Sequence, residues 1–486
     1  MTYMQKNDYY RIGFLMLIPV LVFFPLFYTY YFYTDEVLQL WLYRKGSSFA
    51  MFVPQGRLLT DRLFRFLYSH IDTIGQLRRL RLFSLAGWLI SLPVWYSVFV
   101  RVSKEEGLPP QLPFFSILFL VCSLPFGISI QWAACMELFM ANTCGLLAGY
   151  FVYRYDRRGW LPALLFGLIS LFFYQNGFGC YLLPFLLQIV ARQKADRKML
   201  EAMLVYFGIY LIYFLVFKGV MTMVLHAPVT DRAAMMTNPL AKIYFLFAKA
   251  LPQAFYFNAV VYERSFAGRI SFGLIAGLCL WLNYRAGSVR NFLGYTLLIF
   301  CCFVLIYLPS MIIQENYASN RTLLGLDMAV FIWVFVSLIK HIAEKRLLPA
   351  VLTATGFLLG FTALYNFRFV FLRPAVDEYG AIKAFIDKNY GPSITSIDYI
   401  RTPEDEVRNK YGVQSSWDEY GMSSSYFAWV PDALTRQLVF EKTGDRGLAE
   451  KLVIRVWPDR KTWQASDHPI TQGGILLIDA PAILRK

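Results

Sequence analysis

The fold class predicted for this chain is a polytopic α-helical membrane protein, about 11 transmembrane helices, with a small C-terminal extracytoplasmic α/β domain. Three observations predict it. Hydrophobic residues make up 57% of the 486 positions and charged residues only 16%, against roughly 45–50% and about 25% in soluble domains. Apolar runs near the ~20 residues needed to cross a hydrocarbon core recur along most of the length. The alternating ten-residue strands of a membrane barrel are absent, which leaves helices as the way to satisfy a backbone in lipid. The third observation is a change to soluble-type composition after Arg373-Pro374, lasting to Lys486.

Taken in order, the apolar runs place spans at 12–33, 82–101, 113–130, 138–153, 160–174, 178–192, 203–218, 270–284, 291–312, 323–340 and 348–366. The opening run has no small-residue cleavage site behind it and reads as a retained span. Junctions such as "RVSKEEG", "RYDRRG" and "ARQKADRK" are basic, whereas "TDEVLQLW", "SIQWAACME", "YQNGFG" and "QENYASNR" are not. Basic short loops stay in the cytoplasm, so the N-terminus is expected inside and the C-terminus outside. Two outward loops are long, 34–81 and 219–268. In the first, "GRLLTDRLFRFLYSHI" sets apolar residues opposite Asp61, Arg62, Arg65 and His70, the pattern of an interfacial helix. The second is expected to hold another interfacial helix and a re-entrant piece. The chain thus divides into a membrane part, 1–370, and a soluble part, 374–486. In the latter "EYGAIKAFIDKNYG" reads as a helix capped by Gly391, and "SITSIDYI" and "GGILLIDAPAI" read as strands.

The net charge of +15 is not a nucleic-acid signature. Basic residues outnumber acidic ones 33 to 16 before Pro374, but 14 stand against 16 from there on. The excess belongs to the membrane part, where it sets orientation. All seven cysteines fall in or beside apolar runs, so neither a disulfide framework nor a zinc site is expected. The chain lacks a phosphate-binding P-loop, HExxH and GxSxG. Its four histidines are too scattered to form a site.

The chemistry-bearing residues cluster at the outer ends of spans. Asp35 and Glu36 follow a belt of tyrosines (Tyr28, Tyr30, Tyr31, Tyr33) that marks an interface, and the basic segment "PQGRLLTDR" follows them. Carboxylates and cations at headgroup depth outline an outward-facing pocket. Glu137 is an acid inside an apolar hairpin, where ionisable groups are functional by default. Glu315 and Arg321 sit in the outward "QENYASNR", and Tyr174 and Gln175 end an outward span. Lys218 and Lys249 are poorer cations for the same pocket.

The acid pair after the first span, then "QGRLLTDRLF", then "FYQNGF", resembles the GT-C superfamily of polyprenyl-phosphate-sugar-dependent glycosyltransferases. More narrowly it resembles the bacterial glucosyltransferases that decorate O-antigen in lipopolysaccharide (Gtr-type), over roughly residues 1–370. Asp35, Glu36, Gly56, Arg57, Tyr174 and Gln175 occupy the matching positions. The resemblance implies an inverting transfer without a covalent intermediate, at the outer face of the bacterial cytoplasmic membrane. The donor is a polyprenyl-phosphate-linked sugar and the acceptor a glycan or lipid-linked glycan. Such a transfer needs a base for the acceptor hydroxyl, expected to be Asp35 with Glu36 as runner-up. It also needs cations for the leaving phosphate, expected to be Arg57 and then Arg321. Glu137, Tyr174, Gln175 and Glu315 are expected to line the substrate. Magnesium or manganese is a candidate cofactor, with Asp35, Glu36, Glu137 and Glu315 as oxygen donors. The competing readings are a membrane transporter or flippase, and an O-antigen polymerase or ligase. Transporters favour internal duplication and midplane polar breaks, neither of which is visible here.

Overall fold

The first expected span does not run as one helix. In the computed structural model, which describes residues 5–44, 46–224, 234–261, 265–285, 289–341, 346–466 and 474–485, helix α1 (Lys6–Val22) stops just short of Pro25. Proline lacks the N–H that a helix interior needs and restricts the residue before it. The chain makes one 3-10 turn, Phe24–Phe27, and then runs without regular structure to Thr34. Helix α2 (Asp35–Leu42) begins there in a new direction, after Thr34 adopts φ 35°. Asp35 and Glu36 therefore open a short helix instead of closing a long one.

Helix α3 (Leu58–Tyr68) forms where the amphipathic pattern expects it, but with a different inner face. Thr60, Asp61, Phe64 and Tyr68 are buried while Phe66 is exposed. Asp61 can turn inward because it accepts the Tyr43 hydroxyl at 2.8 Å and pairs with Arg65 at 3.5 Å. Helix α4 (Leu77–Glu105) follows, then α5 (Leu112–Cys122) and α6 (Leu124–Gln131), a pair bent by 46° at Ser123. Helices α7 (Leu138–Tyr155) and α8 (Trp160–Phe173) pack together around one 3-10 turn, Asp156–Gly159. Gly145 and Gly149, four apart on α7, let the 3-10 segment Gln175–Leu182 press against the helix backbone. A Cβ on Gly149 would strike the Tyr181 carbonyl, and one on Gly145 the Gly177 carbonyl. This contact fixes where Gln175 stands. Helix α9 (Leu183–Arg192) is only ten residues long, and α10 (Arg197–Gly219) is long and apolar enough to cross a membrane.

Among the described residues, five helical segments are long and apolar enough to cross a membrane: Ile74–Glu105, Ala133–Phe173, Arg197–Met223, Asn320–Ile339 and Leu348–Asn389. The bent pair α5–α6 makes six. The segment Ala133–Phe173 joins two of the expected eleven spans, 138–153 and 160–174, through the 3-10 turn Asp156–Gly159. The second long loop holds Pro239–Phe245, continued through a π-helical turn into Leu251–Ala254. Its residues 225–233 and 262–264 lie outside the described set. All seven cysteines are free thiols.

No linker separates the last span from the tail. Helix Leu348–Tyr365 passes through a π-helical stretch, Asn366–Leu372, straight into helix Arg373–Asn389, with Pro374 just after the π-helical stretch. The expected cap at Gly391 does not form, since the helix ends at Asn389 with Tyr390 extended. Beyond it stands a three-stranded parallel sheet, β1 (Ile394–Ile400), β2 (Val453–Trp457) and β3 (Gly474–Asp479), in the order β2-β1-β3. Ile397 at its centre pairs with Ile454 on one side and Leu476 on the other. The expected strands became β1 and β3; β2 was not anticipated. The tail also shares a core with the first loop: Val37, Leu40, Phe64 and Tyr68 belong to one buried cluster with Ile382, Ile397, Val430 and Leu434. One body is thus built from two stretches far apart in the chain.

Candidate functional site

Asp35 reaches its position through a relay of buried polar contacts. Glu378, buried on the helix that enters the tail, accepts from the backbone N–H of Ser424 at 2.9 Å and of Ser425 at 2.8 Å, and from the Ser423 hydroxyl at 2.7 Å. The loop so fixed presents the Ser424 hydroxyl oxygen to the Thr34 N–H at 3.1 Å. Thr34 holds a left-handed conformation that costs a non-glycine residue on the order of 1–3 kcal/mol. The strain turns the chain so that Asp35 faces a cavity of ≈ 490 Å³. There the indole N–H of Trp429 donates to Asp35 Oδ1 at 2.8 Å. Trp417, also on the cavity wall, is a second left-handed non-glycine residue, with φ 49°.

Glu36 points the other way. It is fully buried, and its carboxylate takes Arg81 Nη2 at 2.5 Å and Nε at 3.3 Å. The N–H groups of Tyr33 (2.8 Å) and Ala133 (2.5 Å) complete its shell. Burial pushes its carboxyl above the usual range while Arg81 pulls it down. Residues one apart on a helix diverge by about 100°, which is why the two acids part: Asp35 meets the cavity and Glu36 ties α2 to α4.

Arg57, Tyr174 and Gln175 are brought together. The Arg57 guanidinium lies 4.3 Å above the Tyr174 ring, and its Nε donates to Gln175 Oε1 at 3.3 Å. Gln175 Nε2 in turn donates to the Gln55 carbonyl at 2.7 Å. Gly56 sits in the left-handed region (φ 79°) with its carbonyl accepting from the Tyr213 hydroxyl at 3.2 Å. Glu137 is buried at the start of α7, within the electrostatic reach of both Arg57 and Arg321. Its Oε2 has no hydrogen-bond partner among the described residues.

Arg321 also lines the cavity, but two acids from the tail hold it. Asp418 lies 3.4 Å from its Nη2 and Glu419 3.7 Å from its Nε. Glu419 additionally accepts the N–H groups of Asn320 (2.6 Å) and Arg321 (3.1 Å), capping the positive end of helix Asn320–Ile339. Burial, offset by Arg321 and reinforced by Asp418, raises the Glu419 carboxyl to about 7. The Arg321 guanidinium packs over Trp132 at 4.7 Å. Sequence reasoning missed Asp418, Glu419, Glu378 and Arg81. The available signal was "SWDEYG", an acid pair set among aromatics before a glycine (Gly421, φ +65°) that makes a tight turn. Asp327, a buried acid two turns into the same span, was also passed over.

Glu315 is not among the described lining residues of the cavity, and its backbone carbonyl accepts from Lys242 Nζ at 2.8 Å. The four acids expected to share a metal are not gathered. Glu36 is committed to Arg81, and among the described residues no three His, Cys, Asp or Glu side chains converge. The described residues therefore do not form an all-protein cage of hard oxygen donors of the kind calcium takes.

What the arrangement offers is a carboxylate and aromatic rings on one cavity, with a stacked arginine and a buried acid close behind. Comparison with protein-family models, with curated proteins and with solved structures found no match to this chain.

Proposed function

We propose that the protein is an inverting glycosyltransferase. It moves a sugar from a polyprenyl-phosphate donor to a glycan or lipid-linked acceptor at the outer face of the bacterial cytoplasmic membrane. One observation carries the reading: Asp35, from the first loop, lines a cavity large enough for a small ligand, its carboxylate held there by the indole N–H of Trp429 from the tail. The resemblance of the opening segments to GT-C enzymes supports the same assignment.

In the transfer, the acceptor O–H gives its proton to the Asp35 carboxylate as the oxygen attacks the anomeric carbon. The new C–O bond forms on the face opposite the departing phosphate, so configuration inverts. The old C–O bond breaks with its electron pair going to polyprenyl phosphate. Arg57 meets the growing phosphate charge, its guanidinium held planar against Tyr174 and oriented by Gln175. Glu36 has no role in the proton transfer; it holds the backbone that carries Asp35.

The test is Asp35→Asn in purified protein supplied with a radiolabelled polyprenyl-phosphate sugar. Transfer should fall by about 10²–10⁴-fold, with polyprenyl-phosphate binding unchanged. A D35N variant that turns over at the wild-type rate overturns the reading.

A further inference from the structure

The cavity carries a more specific message than its acid. Its walls include Tyr317, Trp417, Tyr426, Phe427 and Trp429, interspersed with Gln55, Glu404 and Ser415. Arg321 is the one cation among the described lining residues, and Asp418 and Glu419 already flank it. Such a site is poorly suited to a phosphate, whose charge needs unsatisfied cations. It is also poorly suited to a bare hydrocarbon chain, which would leave the carboxylates, amide and hydroxyl without partners. A pyranose fits both halves. One face of its ring is a patch of C–H groups that stacks on an aromatic plane, and its rim of hydroxyls meets carboxylates and amides. The volume, ≈ 490 Å³, falls in the roughly 300–1,000 Å³ range of small-molecule pockets.

Trp429 joins the two halves. It is 46% exposed despite its size, its ring lies 4.9 Å from that of Phe427, and its N–H is bonded to Asp35 Oδ1 at 2.8 Å. We propose that the tail segment 415–429 is a saccharide-binding platform for the acceptor. In it the Trp429 ring stacks on the sugar while its indole N–H positions the Asp35 carboxylate. The tail is then the part of the molecule that chooses the acceptor, and Trp429 is a positioning residue for the proton transfer. The second half of this inference rests on the transferase reading; the first does not.

Two replacements at one position separate the halves. Trp429→Phe keeps an aromatic plane and loses the N–H, and Trp429→Ala loses both. Full-length protein in detergent is titrated with methyl glycosides and disaccharides of glucose, galactose, mannose and rhamnose at millimolar concentration, followed by saturation-transfer NMR. The sugars bound by wild type should bind about tenfold more weakly to W429A and within about threefold to W429F. In the transfer assay W429F should lower kcat with little change in acceptor KM, whereas W429A should also raise acceptor KM. Thermal unfolding of both variants shows that each is folded. Wild-type affinity in W429A, or no saccharide bound by the wild type, overturns the platform. Wild-type kcat in W429F overturns the positioning role. Trp429-dependent binding in a protein that transfers no sugar leaves the platform standing and removes the transferase reading instead.

Discussion

The Glu36 carboxylate is forked onto the Arg81 guanidinium at a point that solvent does not reach. Removing one partner leaves a buried charge alone, which typically costs about 3–5 kcal/mol. Arg81→Met and Glu36→Gln should each lower the unfolding temperature of the detergent-solubilised protein sharply. The double variant E36L/R81M should recover only part of the loss. It removes both charges but still orphans the N–H groups of Tyr33 and Ala133, which Glu36 accepts in the native fold.

Arg57 and Arg321 should respond differently to replacement by lysine. Arg57 stacks on Tyr174 and has no carboxylate partner within ion-pair distance among the described residues, so its planar fork is available to a phosphate. Lysine keeps the charge but loses the plane, and R57K should raise donor KM by about tenfold. In R321K the ties to Asp418 and Tyr317 weaken, so the expected effect is a lower melting temperature with donor KM nearly unchanged. Donor titration and thermal unfolding of both variants distinguish the two.

Glu419 gives stability a pH dependence of definite sign. Its carboxyl ordinarily titrates at 4.5 and is raised to about 7 in the fold, chiefly by burial. Between those values the folded chain holds a proton that the unfolded chain has released, so stability falls as pH rises through that window. The contribution is complete below the unfolded value and lost above about 7. Glu419→Gln cannot titrate. The gap in melting temperature between wild type and E419Q should shift against the wild type from pH 5 to pH 8. A gap that stays constant removes the assignment.

Gly149 and Gly208 offer a matched pair of glycine replacements in two apolar helices. At Gly149 an added Cβ meets backbone, the Tyr181 carbonyl, which has no rotamer by which to yield. Overpacking of this kind costs about 1–3 kcal/mol or more. At Gly208 nothing lies within 4 Å. G149A should therefore express poorly or unfold early and lose transfer, because Gln175 shifts with the displaced segment. G208A should be neutral or slightly stabilising, since alanine favours helix by about 1 kcal/mol.

Legibility in the sequence followed the range of the interactions involved. The interfacial helix around Leu58–Tyr68, the strands at 394–400 and 474–479 and the membrane character could be read because each is a local pattern. So could the neighbourhood of Arg57, Tyr174 and Gln175, which rests on short motifs with an order and a side. Helix breaks were written at Pro25 but overridden in the reading by hydrophobicity. The fate of Glu36 was hidden, because its partner lies 45 residues away at what reads as the basic edge of a span. Asp418 and Glu419 were missed because their partner Arg321 lies 97 and 98 residues back in the chain. Strand β2 escaped because it is five residues long and carries Arg455, whose charge is spent on buried Asp398 at 2.6 Å.

That the first loop and the tail share one core has a consequence for biosynthesis. The bond between Asp35 and Trp429 closes across 394 residues. At about 5–20 residues per second, roughly 20 to 80 s separate the emergence of the first from that of the second. Throughout that interval the early loop lacks the core partners that Ile397, Val430 and Leu434 supply. The cavity wall around Asp35 is thereby finished only once residue 429 has been made.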